Sequence, residues 1–126
     1  MPLVTATSGS ELYMTELCNG TVAIQADVSP EKGGSGKHFR PHDLIEAGYA
    51  ACLNITARMV LERLNLPYEQ VRVTVELQRK EEATAFHYHI DISGELEEAS
   101  KQKVLRLVRE CPVYQTLSKP LEFTMV

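Results

Sequence analysis

RPHDLIEAGYAACLNITARMVLERLNLP, residues 40–67, is the stretch on which the reading of the whole chain turns. Pro41 suits the first turn of a helix, where its missing N–H would have no partner in any case. Leu44, Gly48, Ala51 or Cys52, Ile55 and Met59 then recur at helical spacing. Asn65-Leu66-Pro67 stops the run, because a residue before proline is pushed out of the helical region. Ala47, Gly48, Ala50 and Ala51 keep the middle of the helix narrow, so another backbone can approach closely. The stretch predicts a long, central, buried helix from Pro41 to about Leu64.

On its N-terminal side, Val22, Ile24, Ala26 and Val28 alternate with other residues, which is strand periodicity. Residues 13–18 read as a weaker strand, and Asn19-Gly20 between the two is a two-residue hairpin signal. SPEKGGSGK, residues 29–37, is Gly-rich and predicts a mobile loop. On the C-terminal side, Val71, Val73, Val75 and Leu77 alternate with polar residues, and so do Phe86, Tyr88, Ile90 and Ile92. Each set predicts a strand with one buried face, the two being joined by a polar turn at 80–84. Residues 97–110 predict a second helix with Val104, Leu105 and Val108 on its core face, and Pro112 ends it or opens a new turn. Leu121, Phe123 and Met125 suggest a last strand. The order is β-β-α-β-β-α-β, an α+β fold in a single domain covering residues 1–126.

The bulk composition narrows the function. A chain of 126 residues with 44% hydrophobic and 24% charged residues is an ordinary globular mixture. Its net charge is −4 and it has no basic run, which argues against a nucleic-acid surface. Without Trp, and with five Tyr and three Phe, it offers no stacking platform for bases. No uninterrupted apolar stretch reaches the roughly 18 residues of a membrane span. Residues 1–10 lack a basic start and an apolar segment, so no signal peptide is expected and the expected location is cytoplasmic.

The cysteines carry the chemistry. Cys18, Cys52 and Cys111 are an odd count at wide spacing, unlike a secreted disulfide framework. In a reducing compartment a disulfide is usually transient, catalytic or redox-sensing. Cys52 lies in the small-residue segment AGYAAC, too far from Pro41 for the helix dipole to act on it. Activating it as a thiolate requires a nearby cation or hydrogen-bond donor. Cys111 directly precedes Pro112. If it caps a turn that begins there, free N–H groups favour a thiolate, and if it ends the preceding helix, carbonyl groups oppose one. Cys18, at the expected hairpin, reads as structural. GGSGKH at 33–38 misses the phosphate-loop pattern, since Glu31 and His38 stand where Gly and Ser or Thr belong. His87 and His89 share a strand face with no third ligand nearby, so solvent exposure is the simpler account and no metal site is expected.

RPHDLIEAGYAAC, followed far downstream by CPVYQTLS, resembles the OsmC/Ohr family, the osmotically inducible protein C and organic hydroperoxide resistance proteins. Gly94-Glu95-Leu96 before the second helix fits the same resemblance, which covers nearly the whole chain. It implies an OsmC-like fold in an intertwined homodimer. It also implies a two-cysteine peroxidase: Cys52 attacks the O–O bond of an organic hydroperoxide, Cys111 resolves the sulfenic acid as a disulfide, and an external dithiol reduces that disulfide without a cofactor. The peroxidase branch places an Arg by the attacking sulfur and a Glu just after the motif's Pro. Here the second position holds His42, with Asp43 next, and Arg40 is the first Arg of the chain. Arg40 is therefore the candidate activator, with His42 as its helper. Tyr49 and Phe39, together with Leu53 and Ile55, are candidates for an apolar substrate pocket. The rival reading is a non-catalytic binder of a small apolar or electrophilic ligand on the same scaffold.

Overall fold

A computed structural model describes residues 3–126; of the N-terminal segment read for a leader, Met1 and Pro2 lie outside the described residues. The chain forms two compact units, residues 1–45 and 46–126.

The first unit is built on a three-stranded antiparallel sheet of β1 (Thr5–Ser8), β2 (Thr15–Cys18) and β3 (Ala23–Ala26), in the order β1-β2-β3. β1 is an addition to the expected order. Its sequence, TATS, is short and has no apolar alternation, so periodicity is silent there. The β2–β3 ladder ends at Cys18 and Ala23, and the Asn19 N–H bonds to the Val22 carbonyl at 3.2 Å beyond it, so the two-residue turn falls on Gly20-Thr21, one residue later than expected. The Asn19 side-chain carbonyl accepts the N–H groups of Thr21 and Val22 at 3.0 and 2.9 Å, and Gly20 supplies the positive φ. Within the Gly-rich segment, Pro30–Lys32 form a 3-10 turn, and Ser35 is tied back to the end of β3. Asp27 is buried, and its carboxylate accepts the N–H of Val28 and both the N–H and the hydroxyl of Ser35. Gly34 presses against the Val28 carbonyl and that carboxylate, leaving no room for a Cβ.

Helix α1 runs over Pro41–Arg63, within one residue of the expected end. Its buried face is Tyr49, Leu53, Ala57, Val60 and Leu61. This corrects the expected core face, since Gly48, Ile55 and Met59 are exposed, while Leu44 and Cys52 are half-buried. An Ala- and Ile-rich helix is apolar on several faces, so spacing alone chooses poorly among them. By length and composition α1 also reaches what a bilayer span needs, contrary to the expectation that no segment does. Its Leu53, Ala57 and Leu61 are instead fully buried within the second unit's core.

In that unit, β4 (Gln70–Arg79) and β5 (Thr84–Ser93) pair antiparallel in the register Val71↔Ile92 to Leu77↔Phe86, close to the expected strands. Two side chains of α1 bond to the β4 backbone: Glu46 Oε2 accepts the Leu77 N–H at 2.8 Å and Asn54 Nδ2 donates to the Val71 carbonyl at 2.8 Å. That satisfies part of a strand edge that would otherwise be open. Gly94, at φ 121° and tight against Glu69, turns the chain into α2 (Glu98–Val108). Val104 and Val108 of α2 join the core, and Leu105 is half-buried.

A further helix, α3 (Pro112–Leu117), takes the option in which Pro112 opens a turn. The expected last strand does not form: residues 119–126 join no ladder, and Leu121, Phe123 and Met125 are exposed. Together with the added β1, these two departures change the order of strands and α-helices to β-β-β-α-β-β-α-α within the expected α+β class.

Candidate functional site

The two motif cysteines meet at the start of α3. Cys52 projects half-buried from the middle of α1, beside the core residue Leu53. After α2 ends at Val108, the Cys111 N–H returns to the Val108 carbonyl at 3.1 Å. Cys111 then adopts an extended backbone, with φ −63° and ψ 161°, as the N-cap of α3. Its carbonyl takes the Gln115 N–H at 3.0 Å, and Pro112 fills the first helical position, where no N–H is needed. This settles the alternative left open by the sequence: Cys111 faces the N–H groups that begin a helix, not the carbonyls that end one.

Those N–H groups are the site's donors, since the first turn of a helix leaves them without backbone partners. The Val113 N–H donates to Cys52 Sγ at 3.4 Å. The N–H groups of Tyr114 and Val113 turn toward the Cys111 sulfur without forming a capping bond of full geometry. Cys111 is 1% exposed. Burial pushes its thiol up, the Tyr114 N–H pulls the other way, and the adjacent Cys52 adds to the rise. All three cysteines are free thiols. Cys18 lies in the first unit at the end of β2, its sulfur accepting the Gly20 N–H at 3.4 Å.

An aromatic pocket of about 280 Å³ lies among α1, β5 and α3; Tyr49 and Tyr114, three residues from Cys52 and Cys111 in sequence, line it, and the cysteines themselves do not. Tyr49, one turn before Cys52 on α1, is its inner wall. The Tyr49 ring meets Phe86 and Tyr88 of β5 edge-to-face, at centroid distances of 5.4 and 5.7 Å. Burial, reinforced by Tyr88, Cys111, Tyr114 and Cys52, pushes the Tyr49 phenol up to about 12. Tyr114 and Leu117 of α3, Ser118 just after it and Thr84 of β5 complete the lining. Of the expected pocket residues, Tyr49 is placed there. Leu53 is not; it is fully buried in the core, and Ile55 is exposed. Phe86, Tyr88 and Tyr114 went unassigned at the sequence level. The signal available for Tyr114 was the Cys-Pro step, which starts a helix and puts residue 114 in its first turn.

The remaining candidates belong to the first unit. Phe39 is exposed, with its backbone carbonyl accepting the Asp27 N–H at 3.0 Å. Arg40 grips Asp43 with a fork, its Nε on Oδ2 at 2.9 Å and its Nη2 on Oδ1 at 2.8 Å. Arg40 holds the Asp43 carboxyl down at about 2, with a smaller contribution from His42. His42 is exposed in the first turn of α1. No group of three or more metal-ligating side chains occurs among the described residues.

Comparison with known proteins agrees with this architecture. Residues 34–126 match the family model described as OsmC-like protein. The organic hydroperoxide resistance protein-like 2 of Staphylococcus epidermidis is 27% identical over 100 residues, spanning 76% of this chain and 70% of that protein. Among solved structures, the OsmC-like protein of Mycoplasma pneumoniae superimposes with a TM-score of 0.73 at 19% identity, over 93% of this chain and 86% of its own. An organic hydroperoxide resistance protein of Legionella pneumophila gives 0.68 at 24% identity, over 94% and 89%.

Proposed function

The chain belongs to the OsmC-like family, and on that footing we propose that it is a thiol peroxidase that reduces organic hydroperoxides with Cys52 as the attacking cysteine and Cys111 as the resolving one. One observation carries the reading. Two cysteines from distant parts of the sequence converge at one helix start, with the Val113 N–H donating to Cys52 Sγ beside an apolar pocket. The Cys52 thiolate attacks the outer peroxide oxygen; an S–O bond forms, the O–O bond breaks, and the alkoxide leaves as the alcohol after taking a proton. Cys111 then attacks the Cys52 sulfenic sulfur, forming the S–S bond and releasing water. An external dithiol returns both sulfurs to thiols, so the two electrons that reduce the peroxide come from that dithiol.

Burial of Cys111 gives this sequence an order. A thiol held protonated is a poor nucleophile toward peroxide, so the half-buried Cys52 reacts first. Arg40 and His42 act in this reading as helpers of the Cys52 thiolate, and Tyr49 as a wall for the organic group. The protein works in the cytoplasm as a homodimer and needs no resident cofactor. The test is peptide mass spectrometry after one equivalent of cumene hydroperoxide. The expected product is an intramolecular Cys52–Cys111 disulfide, and Cys111→Ser leaves Cys52 as sulfenic acid or a higher oxide. A Cys52 that stays a thiol while peroxide persists overturns the proposal.

A further inference from the structure

We infer that the Cys52–Cys111 pair is a two-coordinate site for a soft monovalent metal ion, copper(I), which binds both sulfurs and so blocks them. The site needs only the two thiols and does not rest on the peroxidase reading. Both cysteines are free, and they converge on one donor. The Val113 N–H lies 3.4 Å from Cys52 Sγ and also turns toward the Cys111 sulfur. Each cysteine is held by the fold: Cys52 sits in the middle of the 23-residue α1, and Cys111 is buried as a member of the core cluster. Thiolate sulfur is a soft ligand that favours copper(I) over hard cations. Two such ligands fixed at one point bind the ion without the ordering cost of gathering them.

The number of ligands chooses the ion. Zinc takes four protein ligands in a closed site and three where it keeps an open position. Among the described residues no third His, Cys, Asp or Glu joins the two sulfurs. Tyr49 is close enough to feel both cysteines, but its phenol holds its proton up to about 12 and offers no phenolate. Copper(I), with a filled d shell, is satisfied by two thiolates in line, so it fits where zinc does not. Burial works in the same direction. It holds the Cys111 thiol protonated, because a bare thiolate there has lost its water. A metal-bound thiolate shares its charge with the cation instead. Each S–Cu bond replaces an S–H bond or caps a thiolate, any proton displaced leaves to solvent, and no electron moves. The complex keeps a single negative charge, toward which the Val113 N–H already points.

The experiment titrates fully reduced protein, without oxygen, against copper(I) held as its coloured bicinchoninate complex. The expected result is one copper(I) withdrawn per chain, with two sulfur neighbours in its X-ray absorption spectrum. Iodoacetamide followed by peptide mass spectrometry should find Cys52 protected in the loaded protein and Cys18 as reactive as before. Cys52→Ser and Cys111→Ser should each weaken uptake by more than about tenfold, a scale on which even an outer-shell partner counts. Cys18→Ser should match the wild type. Cys52→Ser, at a half-buried position, carries the test if the fully buried Cys111→Ser misfolds. Zinc(II) offered from a coloured chelator at the same concentration should stay with the chelator. The inference is overturned if the wild type withdraws no copper, if folded Cys52→Ser withdraws it equally well, or if Cys18→Ser abolishes uptake. Equal uptake of zinc, or a copper ion with three or four protein ligands, overturns it as well.

Discussion

Val113→Pro removes one atom group of interest, the N–H that donates to Cys52 Sγ at 3.4 Å. Val113 is the second residue of α3, so its N–H has no intrahelical partner and proline breaks no helix bond there. Two side effects accompany the change. The half-buried Val113 side chain loses core contact, and Pro112, now before a proline, is pushed away from helical geometry. Val113→Ala reproduces the first effect and keeps the N–H, so the two variants are compared with each other. A hydrogen bond to a charged group contributes ~1.5–3 kcal/mol. At 3.4 Å to a diffuse sulfur the lower end applies, and about 1.4 kcal/mol is a tenfold change. Alkylation of Cys52 by iodoacetamide at neutral pH should therefore be about tenfold slower in Val113→Pro than in Val113→Ala. The rate is read by peptide mass spectrometry to separate Cys52 from Cys18 and Cys111, and circular dichroism confirms that both variants fold. Superimposable rate profiles from two folded variants would refute the assignment of α3 as the donor to Cys52.

Three further outcomes are expected. Tyr49 ionises at about 12 in the folded protein against ~10 in an unfolded chain, so the unfolded state releases its proton first. Its contribution to stability is complete below pH ~10 and is lost as pH rises to about 12; urea midpoints across that window should fall in the wild type more steeply than in Tyr49→Phe, and parallel curves would contradict the burial of this ring. If Arg40 supports the Cys52 thiolate, Arg40→Met should slow Cys52 alkylation several-fold at neutral pH, and coincident pH profiles would remove Arg40 from the site. The exposed Ile55 and Met59 face of α1 and the exposed Leu121, Phe123 and Met125 of the tail call for a second copy to cover them, so the protein should sediment as a dimer at micromolar concentration. The pair Ile55→Glu and Met59→Glu should shift it toward the 14.1 kDa monomer, and a wild type that is already monomeric sinks this expectation.

The sequence by itself determined every element whose cause is local. Pro41 at a first turn and Asn65-Leu66-Pro67 at the stop bounded α1, and period-two alternation marked β4 and β5, because these signals act over a few residues of the same segment. The two cysteine motifs named Cys52 and Cys111. Tertiary structure decided the rest. Which face of α1 is buried was not legible, since a helix apolar on several sides is oriented only by what packs on it, here Ile92 of β5 and Val104 and Val108 of α2. The tail alternates like a strand at Leu121, Phe123 and Met125, yet it forms none, because a strand exists only where another backbone supplies its hydrogen bonds. Phe86, Tyr88 and Tyr114 joined Tyr49 in one pocket only through the packing of α1 against β5 and α3. Cys111 was equally compatible with the end of one helix and the start of the next. The chain's path after Val108 chose the start, and so set N–H groups rather than carbonyls beside the two sulfurs.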